Sequence, residues 1–142
     1  MGHIRSLSLS LLSNTTGDYN SALGQSALAL NTTGVSNVAV GQAALYANTT
    51  GYGNNAVGVR SLQANTTGFS NAALGERSLQ ANTTGALNTA LGDYSLANNT
   101  SGDRNTAVGA AALLGNTTGQ YNTALGRYAG YATFSDSTTN AN

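Results

Sequence analysis

The sequence contains no cysteine, proline, tryptophan or lysine, and charged residues make up only 7% of its 142 residues. Without cysteine, no disulfide framework can form. Five arginines balance five acidic residues, so the formal net charge is zero. Such a chain lacks the basic stripe that neutralises nucleic-acid phosphates or docks a protein on an anionic membrane. We therefore expect no nucleic-acid partner and, since no apolar run reaches about 18 residues, no membrane insertion.

Residues suited to catalysis are equally scarce. The only histidine is His3, beside the first two residues, and no second histidine completes a zinc site or a nucleophile and base pair. The acidic residues are Asp18, Glu76, Asp93, Asp103 and Asp136. They form no regular aspartate ladder of the calcium-binding kind, although paired-carboxylate chemistry across subunits stays open. We predict that the protein is not an enzyme and uses no catalytic residue, metal or cofactor.

The sequence does contain a 17-residue unit in seven copies, of which the sixth has NTSG in place of NTTG. The unit NTTGxxNxA(L/V)GxxxLxx recurs every 17 residues without slippage. Its leading residues are Asn14, Asn31, Asn48, Asn65, Asn82, Asn99 and Asn116. We number unit positions 1 to 17 from this Asn and call residues at one position in successive units a column. An unbroken period predicts units that stack on one another because none buries its apolar face alone.

The short period predicts an all-β fold, a parallel β-solenoid of seven coils with one unit per coil. Seventeen residues are too few for the two-helix units of α-solenoids. They suit two extended segments joined by two turns, with Gly34 and Gly41 supplying positive φ. The alternative is a short helix over 42–47 and its equivalents, but six residues are too few for a stable helix in water.

Strand alternation over 37–41 puts Asn37 and Ala39 on one face and Val38 and Val40 on the other. We predict that the coil interior holds the Val40 and Leu45 columns. These are Leu23, Val40, Val57, Leu74, Leu91, Val108 and Leu125, with Leu28, Leu45, Leu62, Leu79, Leu96 and Leu113. Because so thin a core barely offsets conformational entropy, we expect the other face to pack on identical chains in a homo-oligomer.

The second constant Asn predicts a structural ladder. Identical amides stacked about 4.8 Å apart hydrogen-bond to one another and satisfy groups that are costly to bury. The ladder residues are Asn20, Asn37, Asn54, Asn71, Asn88, Asn105 and Asn122. NTTG is then a turn, although each NTT or NTS is also an N-glycosylation acceptor sequence, as is Asn98 with Thr100. We favour the turn.

The predicted domain organisation has a terminal segment on each side of the repeats. Ser and Leu alternate over residues 6–11, which predicts that 1–13 form a strand that supplies the second half of an incomplete first coil. The seven units span 14–132, and 133–142 form a C-terminal tail. Neither proline nor a charge after Arg5 blocks the first strand edge, so stacking end to end is a further expectation.

The units NTAVGAAAL (105–113), NTALGDYSL and NVAVGQAAL resemble the head repeats of trimeric autotransporter adhesins. The longer NTTGxxNTAxGxxAL form is similar to repeats of phage tail-fibre and bacterial surface proteins. The resemblance covers residues 14 to about 130. It implies a left-handed parallel β-roll, three chains about a threefold axis, and an extracellular place on a cell surface or virion.

The leading functional hypothesis is therefore a structural and adhesive fibre module of a phage tail fibre or cell-surface adhesin that binds a host-cell glycan or protein. Its candidate ligand surface is Tyr19, Tyr52, Phe69 and Tyr121, at the variable positions 5 and 6. The other interpretation of these rings is packing on stacked neighbours or an adjacent subunit. The alternative functions are an extracellular filament subunit and an ice-binding solenoid, although an extended NTT would turn only one threonine column outward.

Overall fold

The computed structural model describes residues 9–131, which form one stack of coils. The strands are β1 (Ser21–Leu23), β2 (Val38–Val40), β3 (Asn55–Val57), β4 (Ala72–Leu74), β5 (Thr89–Leu91), β6 (Thr106–Val108) and β7 (Thr123–Leu125). They pair in chain order into one parallel sheet, each residue facing the residue 17 further on, as Ala39 faces Ala56. The described residues include no helix. The predicted all-β parallel solenoid with one unit per coil is confirmed.

The second half of the unit is neither the strand that we predict nor the alternative helix. Ala44 N donates to Gly41 O at 3.3 Å and Asn48 N to Leu45 O at 3.2 Å, so two β-turns follow each other. Ala43 and Leu45 have φ of 56° and 50°, in the left-handed region. A strand would send Ala44 and Leu45 to opposite faces, whereas these turns bury both side chains completely.

The coil interior is built from two columns. Ala39 and Leu45 are fully buried, as are their equivalents in the middle coils. The Leu45 column runs from Leu28 to Leu113, and Gly130 takes its place in the last unit. Leu11 packs on the first end of this core.

The prediction that position 10 lies inside the coil is wrong. These side chains point outward and are half-buried or exposed, with 44% exposure at Leu74 in the middle of the stack and 78% at Leu125 in the last coil. The residues that lie on the outer face instead of in the predicted core are Leu23, Val40, Val57, Leu74, Leu91, Val108 and Leu125. The reason is that Asn37 must face inward to hydrogen-bond its buried partners, and strand alternation then carries Ala39 inward and Val40 outward.

The two constant glycines are required for different reasons. Gly41 has φ of 132°, as we predict, and its column stays between 118° and 137°. Gly34 is not in the left-handed region, so that prediction is wrong. Its constraint is space, because a Cβ there would lie 2.5 Å from Asn31 Oδ1 and 2.8 Å from Asn48 Nδ2.

Residues 9–13 lie where the second half of a preceding coil would be. Leu11 N donates to Ala27 O at 3.1 Å and Ser13 N to Ala29 O at 3.0 Å, as the equivalent residues of later coils do. The strand predicted here is wrong for 9–13, because these residues adopt the turn conformation of positions 13–17, with φ of 51° at Leu11. Residues 1–8 and the predicted tail, 133–142, lie outside the described residues.

Candidate functional surfaces

The Asn at position 7 forms a continuous buried ladder. Asn54 Nδ2 donates to Asn37 Oδ1 at 3.2 Å and to Gly68 O at 2.8 Å. Asn54 Oδ1 accepts from the backbone N of Asn71 at 3.0 Å and from its Nδ2 at 3.1 Å. Both amide hydrogens and both acceptor positions are therefore used. The column that we select as a ladder forms one, and its role is structural.

The leading Asn, for which we predict only a turn, forms a second ladder. Asn48 Nδ2 donates to Asn31 Oδ1 at 2.8 Å and to Gly51 O at 3.0 Å. Gly51 O also accepts from Asn37 Nδ2 at 2.9 Å, so the two ladders meet at this carbonyl. The signal was present, because position 1 is as constant as position 7 and recurs at the same interval.

The ladder also decides which glycosylation sequences are reachable. Asn31, Asn48, Asn65, Asn82, Asn99 and Asn116 are fully buried. Asn98 is exposed. A glycan on a ladder amide would replace a hydrogen bond and require space that the coil does not have. Asn14, at the first end of the ladder, is half-buried and its Nδ2 donates to Gly17 O, so Asn98 is the one exposed Asn among the acceptor sequences that the structure describes.

Within residues 9–131, each ladder ends at an acceptor without a donor. Asn116 Oδ1 and Asn122 Oδ1 are buried and have no hydrogen-bond partner in the described part of the chain. One period later the sequence has Thr133 and Thr139 in place of Asn. A buried acceptor without a donor costs about 1 to 3 kcal/mol, so this end of the stack favours a donor from another segment.

The outer face of the sheet carries an aliphatic stripe, which we define as the position 10 column from Leu23 to Leu125. Every member is Leu or Val, although the side chains are partly or largely open to solvent. Position 8, on the same face, holds Ser, Val, Asn, Ala and Thr instead. An uninterrupted exposed apolar column of this kind is typical of an interaction surface.

The structure brings only two of the candidate aromatic residues together. Tyr52 and Phe69, both at position 5, stack with ring centroids 4.9 Å apart and planes 6° apart. Tyr19 and Tyr121 are exposed at position 6 but lie in the first and last coils. The Tyr121 ring instead lies 5.3 Å from the Arg104 guanidinium carbon. The candidate ligand surface is thus one stacked pair and two separate rings.

Within residues 9–131, the charged residues lie along two borders of the sheet. Ten charged residues are present, and all except Arg5 and Asp136 are described. The first edge, positions 5 and 6, holds Asp18, Asp103 and Arg104. The second edge, positions 12 and 13, holds Arg60, Glu76, Arg77, Asp93 and Arg127. Within 9–131 the only ion pair joins Arg77 Nε to Glu76 Oε1 at 3.6 Å.

The side of the coil away from the sheet is uncharged and rich in threonine. Thr49 is half-buried, and its Oγ1 donates to Thr66 O at 3.1 Å. Thr50 and the rest of the position 3 column are exposed. Our expectation of a single outward column assumed an extended NTT, whereas the segment bends and leaves both threonine columns at least partly exposed. Ice binding stays a prediction.

Comparison with protein-family models, curated proteins and solved structures found no match to this chain. The parallel β-solenoid with a repeat of 17 residues stands on the geometry above. Residues 9–131 include no helix long and apolar enough to cross a membrane. The same residues bring no three His, Cys, Asp or Glu side chains together as a metal site.

Proposed function

We propose that this chain is a structural and adhesive fibre module without enzymatic activity, acting outside the cell on a cell surface or virion. Its copies associate laterally through the aliphatic stripe into a homo-oligomer, with a trimer favoured. The left-handed winding and the threefold axis implied by the adhesin resemblance belong to this proposal. So does its partner, a glycan or protein of a host-cell surface.

The observation that carries the proposal is the exposed aliphatic stripe. Fully burying one Leu or Val side chain contributes about 1.5 to 3 kcal/mol to stability. The position 10 side chains of the single chain remain partly exposed in all seven coils, so further burial would stabilise an assembly. The coil core does not require these residues, because the Ala39 and Leu45 columns fill it. Three stripes meeting at a common axis would remove this surface from water. The constancy of Leu and Val at an outward position is then explained.

The adhesive part of the proposal depends on the surface left outside such an assembly. Positions 5 and 6 change from coil to coil while their neighbours stay constant, so the fold does not specify their side chains. The stacked pair Tyr52 and Phe69 offers apolar area and a hydroxyl on a rigid frame. These are the properties of aromatic contact residues in binding surfaces.

The solution mass tests the proposal. A particle of about three times 14.2 kDa is expected, and a mass of one chain at high concentration would contradict lateral association. The variant Val57→Asp places a charge in the stripe and should give monomers that keep the β-rich circular dichroism spectrum. The matched control is Thr67→Asp, an exposed residue on the uncharged side, which should keep the oligomer.

A second candidate function, an end-to-end filament, is favoured by the oxygens of Asn116 and Asn122, which have no hydrogen-bond partner within residues 9–131. Asn14 and Asn20 of a following copy would supply the missing donors. Residues 9–13 of that copy obstruct this stacking, because they occupy the level of 128–131 of the first copy. Deletion of residues 1–13 should therefore promote filaments in negative-stain images. Only discrete short particles from that variant at high concentration would argue against the second candidate.

A further inference from the structure

We propose that the hydroxyl groups at position 3 of the unit are attachment sites for O-linked sugars. The inference rests on the proposed extracellular function, because sugars linked to Ser and Thr are typical of surface proteins. The residues, which we call the hydroxyl column, lie on the uncharged side of the coil. They are Thr16, Thr33, Thr50, Thr67, Thr84, Ser101 and Thr118.

The hydroxyl column is constant without a reason inside the chain. Positions 1 and 7 form the Asn ladders, and position 2 donates its hydroxyl to the next coil. Positions 4 and 11 need glycine, and positions 9 and 15 fill the core. The hydroxyl column is exposed in every coil, and none of its hydroxyl groups has a hydrogen-bond partner within residues 9–131. Apart from the aliphatic stripe, it is therefore the one constant column that the single chain does not explain.

The residue types identify the hydroxyl group as the shared property. Ser101 keeps the hydroxyl group of the column but lacks the methyl group of threonine, so a β-branched side chain is not required. A turn alone would also accept Asn, Asp or Gly. Such residues do occur at the variable positions 5 and 6, as Asp18 and Gly53. The seven coils therefore share a free hydroxyl group rather than a turn preference.

The adjacent position 2 shows how a structural threonine differs. Thr49 is half-buried, and its Oγ1 donates to Thr66 O at 3.1 Å. Thr50 is exposed, and its Oγ1 makes no such hydrogen bond within residues 9–131. An enzyme that acts on the folded chain and needs a free hydroxyl group therefore finds it at position 3 and not at position 2.

A neutral sugar fits this column better than phosphate does. The hydroxyl groups of successive coils are about 4.8 Å apart. Two unit charges 4 Å apart repel by about 1 kcal/mol even in water, and one phosphate carries about 1.5 to 2 negative charges. A row of phosphates would therefore oppose the stacking of the coils. The described arginines lie at the borders of the sheet and not on this side, so they would not offset that repulsion.

The reaction requires a nucleotide-diphosphate sugar and a transferase of the producing cell. Thr50 Oγ1 attacks the anomeric carbon of the sugar and forms a C–O bond. The bond between that carbon and the nucleotide phosphate breaks, and the hydroxyl proton passes to the transferase. Because positions 1, 2 and 4 are constant, the transferase meets the same surroundings in every coil. A ligand bound non-covalently to the whole column would instead have to repeat with the spacing of the coils.

Sugars on this side would direct association to the aliphatic stripe. The net charge of the chain is zero, so copies do not repel each other strongly. Attached sugars are bulky and hydrated, and they would keep other copies away from the uncharged side. The stripe lies on the outer face of the sheet, away from the hydroxyl column, and stays free for lateral contact.

Mass spectrometry of the protein isolated from the cells that produce it tests the inference. We expect these 142 residues to have a mass above 14.2 kDa, with sugars that alkaline treatment releases. Fragment spectra should place a sugar on Thr50 and none on Thr49, the matched control in the same coil. A chain without sugars, equal modification of positions 2 and 3, or sugars on the Asn residues would each overturn the inference.

Two variants produced in the same cells extend the test. Thr50→Val should remove the sugar from coil 3, whereas Thr49→Val should leave the sugar content unchanged. An unchanged sugar content in Thr50→Val would contradict attachment at position 3. The solution mass separates this inference from the proposed function. Monomers that carry sugars would overturn the lateral association alone, and oligomers without sugars would overturn the hydroxyl column as an attachment site alone.

Discussion

Asn71 Oδ1 accepts two hydrogen bonds from Asn88 of the next coil, from the backbone N at 3.0 Å and from Nδ2 at 3.2 Å. Asn71 Nδ2 in turn donates to Asn54 Oδ1 and to Gly85 O. One side chain thus connects three coils. Backbone hydrogen bonds outside the strands also join successive coils, as from Leu45 N to Ser61 O at 3.0 Å, and the Asn columns add buried side-chain hydrogen bonds to them.

We predict that Asn71→Leu strongly destabilises the fold. The change leaves the Asn88 amide groups without their acceptor, and each unsatisfied buried group costs about 1 to 3 kcal/mol. The total loss should therefore reach several kcal/mol. Denaturant unfolding at fixed protein concentration measures it. The control is Asn98→Leu, an exposed Asn outside both ladders, and equal stability of the two variants would refute the ladder.

The two leucine columns should respond differently to truncation. Leu79→Ala removes a fully buried side chain from the core and should cost about 2 to 5 kcal/mol. Leu74→Ala removes an outward side chain that is 44% exposed, so the single chain should lose clearly less. Its main effect should be weaker association, read from solution mass at decreasing concentration. If Leu74→Ala lowered the stability of the single chain more than Leu79→Ala, position 10 would have to be part of the core.

Glycine should stabilise one column of left-handed residues. Ser70 has φ of 52°, and its equivalent Gly53 has φ of 64°. A left-handed conformation costs an L-residue roughly 1 to 2 kcal/mol that Gly avoids, whereas Gly loses more entropy on folding. Ser70→Gly should therefore gain about 0.5 to 1 kcal/mol. Thr67→Gly, outside the left-handed region, should lose stability under the same denaturant titration. If Ser70→Gly and Thr67→Gly both lowered stability, the inferred backbone strain at Ser70 would be contradicted.

The stacked aromatic pair should matter more for binding than for assembly. The Tyr52→Ser and Phe69→Ser double variant loses a ring contact that is worth about 0.5 to 1.5 kcal/mol, which the remaining coils should tolerate. We expect an intact oligomer with weaker binding to cells or to a glycan array. Tyr46→Ser, which removes an exposed ring outside the candidate ligand surface, is the control and should leave binding unchanged. Dissociation or unfolding of the double variant would mean that the rings serve packing.

The sequence by itself determined the period, the parallel stacking and the position 7 ladder. Identical residues at a constant interval of 17 place every unit in the same environment, so Asn37 has no nearer equivalent than Asn20 and Asn54 with which to pair. The constancy of position 1 carried the same information, and the second ladder was within reach of the same reasoning.

Only the tertiary structure decided which face of the strand is inside. Strand alternation makes two faces, and the residue type is restricted on both. The Ala39 column is always Ala, and the Val40 column is always Leu or Val. Size alone favoured Val40 as core. The hydrogen bond from Asn37 to Gly51 O decided otherwise, because it draws Asn37 inward and Ala39 with it. The double turn from Gly41 to Asn48 could not be predicted from the sequence either. Burial of the adjacent Ala44 and Leu45 depends on a left-handed φ at Ala43 and Leu45, which are not glycine.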